Sequence, residues 1–143
     1  MKLSDIDFIA INRNNYANFF QKIIFTIAQK PNLSLLLEKI KSRKKWNSIE
    51  ELINQNFPDD NFKGKICFIE HHLAHLSSAF HVSPFQEACI LSVDGSGDFA
   101  TTTWGFGSDN KINMDEKIYF PHSLGIFYEA MTRYLGFENY GDE

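Results

Sequence analysis

Cysteine is scarce in this chain: Cys67 and Cys89 are the only two in 143 residues, each inside an apolar run and with no CxxC spacing. They read as small buried residues in a reducing compartment, not as a disulfide framework. No cleavable signal segment is evident, and no apolar stretch approaches the roughly 20 residues needed to cross a bilayer. A cytoplasmic location without a membrane partner is the expectation. An excess of positive charge is missing too. The net charge is -4, and the densest group of Lys and Arg lies between Lys39 and Lys45. Binding duplex nucleic acid requires a basic surface, so nucleic acid is not an expected partner, and the run "EKIKSRKKW" reads as a solvated helix face. Internal repeats, low-complexity tracts and flexible linkers are also lacking. What remains is a soluble globular composition, with 43% hydrophobic residues, 22% charged residues and 14 Phe. A compact single domain of this length buries about 68–70% of its extended-chain surface, enough for a real core.

The pattern along the chain is one of alternating strand and helix signals. "DIDFIAIN" (5–12) has strand composition. From Tyr16 to Arg43 apolar residues recur at helical spacing, with "KPN" (30–32) separating two helices, and "NSIEELI" carries a capping pattern for another. "KICFI" (65–69) reads as a buried strand, followed by a helix over "HLAHLSSAFHVS" that stops near Pro84. "EACILSV" (87–93) and "FATTTWGFG" (99–107) read as a hairpin across "DGSGD", and "INMDEKIYF" (112–120) as a third strand. A helix over 123–137 is expected to be capped by Ser123 and ended near Gly136. This order predicts an α/β domain with a mixed sheet.

Three histidines in five positions, within "IEHHLAHLSSAF" (69–80), carry the chemical interest. On a helix starting at or just before His71, the rings of His71 and His75 lie one turn apart on one face, their Cβ atoms about 6 Å apart, while His72 points about 100° away. The pair resembles that of zinc proteases, but the sequence is HHLAH, so the Glu that serves as their base is absent. The same spacing arises by chance in histidines that cap helices or bond to surface carbonyls. Asp94 adds context, since it ends an apolar strand where Gly95 and Gly97 are expected to turn the chain, so its carboxylate should project from a sheet edge. Two histidines and one carboxylate suit a divalent cation, Fe(II) first, or Zn or Mn, with positions left open for substrate. The simpler reading of "DGSGD" as a hairpin turn is compatible with this, and a glycine-rich turn also presents N–H groups to an anion.

Taken in order, "HHLAHLSSAFHVSPF", "ACILSVDGSGD" and "FPHSLGIFYEAMTRYLGF" resemble the core of O-carbamoyltransferases of the NodU/CmcH type, over roughly residues 66–143. The resemblance implies part of an actin-like ATPase or ribonuclease-H-like domain, related to that of tRNA threonylcarbamoyladenosine transferases. It implies an enzyme that makes carbamoyl-adenylate from carbamoyl phosphate and ATP in a YrdC-like domain, and passes the carbamoyl group to the hydroxyl of a small-molecule acceptor. By the same resemblance His71, His75 and Asp94 match metal ligands, the backbone of Gly95, Ser96 and Gly97 faces the nucleotide phosphate, and Glu129 lies near the ribose. His72 and His122 are candidates for assisting deprotonation of the acceptor, against capping or surface roles.

Family chains are longer: they begin with an earlier phosphate loop, supply a further acidic ligand downstream and append the YrdC-like domain. The expectation is therefore a partial N-terminal domain over 1–143, with a strand and variable helical segment over 1–64 and the metal and nucleotide core over 65–143. Alone it is expected to be inactive, with unpaired strand edges and exposed apolar surface. A tRNA-directed threonylcarbamoyl transferase, a subunit pairing with a complementary half-protein, and a facial-triad oxygenase are the alternatives. "VDGSGD" in place of a Ser-Gly-Gly loop argues against the first, and no 2-oxoacid pattern supports the last.

Overall fold

A computed structural model describes residues 2–29, 49–60, 62–139 and 141–142. The helix expected after "KPN" and the basic run at 39–45 lie outside the described residues. The elements are β1 (Phe8–Ile11), α1 (Phe19–Gln29), α2 (Ile49–Asn56), β2 (Lys65–Phe68), α3 (His71–Phe80), β3 (Glu87–Gly97), β4 (Ala100–Ser108), β5 (Lys111–Tyr119) and α4 (Leu124–Tyr134). No helix among the described residues is long and apolar enough to cross a membrane.

The chain is α/β, as its order of elements predicts, but the single mixed sheet is corrected to two sheets. β1 and β2 pair in parallel, Phe8 opposite Lys65 through Ile11 opposite Phe68. β3, β4 and β5 form a separate antiparallel sheet in that order. Connection length explains the division. Parallel strands need a long crossover, which residues 12–64 provide, whereas two-residue turns enforce antiparallel neighbours. Those turns fall at residues 98–99 and 109–110.

A second correction concerns "DGSGD". The first four of its residues are not a turn, because β3 continues to Gly97 and the hairpin turns at Asp98 and Phe99. Both have positive φ, 50° and 78°, as a type I′ turn requires. The ladder is irregular between Val93 and Gly97, where residues 94–96 face the single Thr101. Such a bulge bends the strand and re-aims a side chain, here that of Asp94.

α3 packs on the antiparallel sheet through His72, Leu76 and Phe80, spaced one turn apart and all buried. Gly107 makes room for Phe80, since a Cβ there would sit 2.8 Å from the ring. Ala100 and Thr101–Thr103 of the central strand complete the buried layer. Elsewhere large apolar side chains face solvent: Phe20 and Ile27 on α1, Leu91 on the edge strand β3, Phe127 and Leu135 at α4.

Candidate metal centre

The N-terminus of α3 forms where expected. Glu70 is the N-cap, its carboxylate accepting from the Leu73 N–H at 2.9 Å, which satisfies one of the free donors of the first turn. His71 and His75 then lie one turn apart and meet edge to face, ring centroids 4.6 Å from each other and Nε2 atoms at 3.0 Å. The bulge of β3 brings Asp94 Oδ2 to 2.7 Å from His71 Nε2 and 3.8 Å from His75 Nε2. The three potential ligand atoms all lie within 4.8 Å of one another.

This spacing can be tested against the chemistry of a cation. Bonds of about 2.1 Å to nitrogen and oxygen put neighbouring donors about 3.0–3.4 Å apart in octahedral or tetrahedral geometry, and the observed separations bracket that range. A purely hydrogen-bonded arrangement serves the three atoms less well. His71 Nε2 is common to both contacts, and a neutral ring nitrogen either donates or accepts, so it can satisfy Asp94 Oδ2 or His75 Nε2 but not both. The His75 side chain is half exposed and that of His71 is 22% exposed, so the group is open on the His75 side.

Asp94 is set up to stay ionised. Partial burial works to raise its pKa, but hydrogen bonds from His71 and the Gly95 N–H, together with the charges of His71 and His75, outweigh burial and hold it below the usual carboxylate value. The segment is pinned from behind by α4. Ser123 Oγ contacts the carbonyls of Asp94 and Gly95 at 3.1 and 2.7 Å while accepting from the Ile126 N–H as helix cap. Gly125 is needed there, because a Cβ would sit 2.5 Å from the Asp94 carbonyl carbon.

The remaining sequence candidates separate from this group. His72 is fully buried, its Nδ1 2.8 Å from Ser92 Oγ, and its Nε2 makes no well-formed hydrogen bond among the described residues. Burial pushes its pKa down, with the Ala100 backbone opposing the shift, so the ring is neutral and packed inside rather than facing an acceptor. His122 is exposed, and its recorded bonds are through the backbone, to Tyr119 and Thr101. Glu129 pairs with Arg133 at 2.7 Å on the surface of α4. The Gly95 N–H is already engaged by Asp94 Oδ1 at 2.6 Å, Ser96 is exposed, and Gly97 is buried beneath the His71 ring. A Cβ on Gly97 would lie 1.9 Å from His71 Cδ2, whereas one on Gly95 would meet nothing within 4 Å among the described residues.

Sequence reasoning missed three residues that hold the centre: Asp98, Ser123 in its contact with the Asp94 segment, and Lys117. Asp98 Oδ2 accepts from the His71 N–H at 2.9 Å. Lys117 Nζ lies 3.3 Å from Glu70 Oε1, a largely buried ion pair beside the helix start. The only signals in the sequence were the second Asp of "DGSGD" and the Ser-x-Gly at the head of α4.

Comparison with known proteins identifies the family. The chain is 48% identical over 73 residues to an uncharacterized protein of Synechocystis, covering 51% of this chain and 12% of that one. It is 36% identical over 86 residues to the nodulation protein NolNO of Sinorhizobium fredii, covering 60% and 13%. An uncharacterized protein of Methanocaldococcus jannaschii is 28% identical over 141 residues, covering 88% and 23%. The chain thus spans less than a quarter of the length of each of these relatives. Residues 2–143 match the family model described as carbamoyltransferase N-terminus, and the chain belongs to that family.

Proposed function

We propose that the chain provides the metal-binding part of an O-carbamoyltransferase. The observation that carries this reading is the convergence of His71, His75 and Asp94 in a chain of the carbamoyltransferase N-terminal family. In the whole enzyme, carbamoyl phosphate and ATP give carbamoyl-adenylate, and the carbamoyl group passes to the hydroxyl of a small acceptor. The domain is part of an actin-like fold, and Fe(II), Zn or Mn suits the donor set. When bound, such an ion supplies a Lewis acid and a template at the activated carbonyl and the departing phosphate.

The chain's own residues prepare that place. Asp94 remains a carboxylate, and two imidazoles supply neutral donors, which leaves net positive charge once a dication is held. The open side of His75 admits the reacting groups, and the empty space beside Gly95 leaves room next to the carboxylate. A carbamoyl-adenylate is a mixed anhydride, so the work left to the protein is positioning and charge stabilisation, with no covalent enzyme intermediate.

The test has two parts. Equilibrium dialysis against Fe(II), Zn(II) and Mn(II) should give one ion per chain, lost in His75→Ala and Asp94→Asn. With the segments that its longer relatives contain supplied, the protein should release AMP and carbamoylate a hydroxyl acceptor, depending on carbamoyl phosphate. Stoichiometric metal binding that survives both substitutions would refute the assignment.

A further inference from the structure

We infer that Asp98 is the residue that positions His71 in the metal centre, and that it ties the centre to the connection between β1 and α1. The inference rests on the metal-binding reading above but adds a residue outside the ligand set. One carboxylate oxygen, Asp98 Oδ2, accepts two backbone N–H groups, from His71 at 2.9 Å and from Asn14 at 2.7 Å. Both bonds have an ionised acceptor and are of the stronger, shorter kind. The one to His71 also satisfies a free donor at the positive end of α3, where a negative charge is favoured.

The grip on His71 therefore comes from one pentapeptide at three points. Asp94 holds its Nε2, Gly97 lies flat beneath its ring and Asp98 holds its backbone N–H. A helix start free to rotate or fray would carry the ring off Asp94; the Asp98 bond fixes where the helix begins. The aim of Asp98 depends on the turn it occupies. Asp tolerates its φ of 50°, but Phe99 at 78° is strained for a residue with a Cβ. That strain is held by an aromatic cluster, with Phe99 centroids 5.4 Å from Phe25, 6.1 Å from Phe120 and 6.5 Å from Tyr119.

A closed circuit of contacts extends the link. The Asp98 carbonyl accepts from Asn18 Nδ2 at 3.0 Å, and Asn18 Oδ1 lies 3.3 Å from Lys117 Nζ. Lys117 pairs with Glu70, which caps the helix that begins with His71. Residues 14 and 18 are thereby fastened to both sides of the metal centre, and displacement of that connection displaces His71.

The test uses Asp98→Gly, which removes the carboxylate while suiting the positive φ, and Asp98→Asn, which keeps an acceptor oxygen. Co(II) serves as the probe metal, since its visible absorption reports ligand geometry. Asp98→Gly should bind Co(II) at least about tenfold more weakly, with an altered spectrum, as loss of an outer support does elsewhere. Asp98→Asn, which keeps an acceptor but loses the charge, should lose clearly less than Asp98→Gly. Amide exchange without metal should quicken at His71 and Asn14 in Asp98→Gly and less so in Asp98→Asn.

Wild-type Co(II) affinity and spectrum in Asp98→Gly would overturn the inference. If the wild-type protein bound no Co(II), the metal reading would fall, while unchanged amide exchange at His71 in Asp98→Gly would separately refute the positioning role.

Discussion

Replacing Gly97 by Ala is the sharpest perturbation of the centre, because it changes no ligand and no charge. The added Cβ would lie 1.9 Å from His71 Cδ2, 2.1 Å from Cγ and 2.5 Å from Nε2. Carbon atoms in contact sit about 3.5–4.0 Å apart, so the ring must retreat by about 1.5 Å or more. A ligand atom in a working metal site tolerates about 0.2 Å. His71 Nε2 now lies 2.7 Å from Asp94 Oδ2 and 3.0 Å from His75 Nε2, and a shift of that size removes it from the set. Affinity for Co(II) should fall at least about 100-fold, equivalent to about 2.7 kcal/mol. Overpacking should separately cost about 1–3 kcal/mol of folding stability. Gly95→Ala is the matched control. Its Cβ meets nothing within 4 Å and its backbone has no positive φ, so Co(II) affinity should stay near wild type. Titration of Co(II) by calorimetry and visible absorption, with urea denaturation of the same samples, separates binding from stability. Wild-type Co(II) affinity in Gly97→Ala, or an equal loss in both variants, would refute the geometry from which these magnitudes come.

Other outcomes follow from the surroundings. Ser123→Ala removes the α4 cap and the contacts to the carbonyls of Asp94 and Gly95, and should cost about 1–2 kcal/mol in denaturant unfolding and weaken Co(II) binding. The folded pKa of His72 is depressed below the usual 6.5, so the unfolded chain takes up the extra proton. Stability is fully present above pH 6.5 and declines as pH falls toward the folded value; His72→Asn should flatten that decline in urea midpoints measured from pH 7.5 to 5. The folded pKa of Asp94 is also depressed, so its contribution holds above the usual 3.8 and is lost as pH falls through the folded value. Asp94→Asn should remove that acid limb, a small effect because more than a third of the side chain is exposed.

Local signals carried much of the fold and failed where long-range pairing decided. Each described strand and helix sits within a few residues of its expected place, because spacing, caps and turn residues are read over a handful of positions. Ser123 as cap of α4 and the start of α3 at His71 are of that kind. The split into two sheets was not legible, since it depends on which strands meet across the fold. Nor was the bulge: Asp-Gly is a strong local sign of a turn, but here the chain stays extended for three more residues after Asp94 and turns at Asp98 and Phe99. Phe at a positive φ is a poor turn signal, and only its aromatic neighbours make that choice stable.

The same contrast explains why the histidine pair was readable and its support was not. His71 and His75 meet because a helix has a fixed pitch, so their proximity is a property of five letters of sequence. Asp94 arrives from a strand of another sheet, and the residues that bring it there, Gly97 under the ring, Asp98 at the helix start and Ser123 behind, have meaning only once the strand is packed. The two halves of the donor set come from different elements: the imidazoles begin α3, and the carboxylate lies in β3, in the antiparallel sheet on which α3 packs. A cation shared between them would join the two, so the energy of binding metal is also energy of packing α3 against β3. Glycine at 97 is then best understood as the residue that permits this junction to close, and not as a flexible point in a loop.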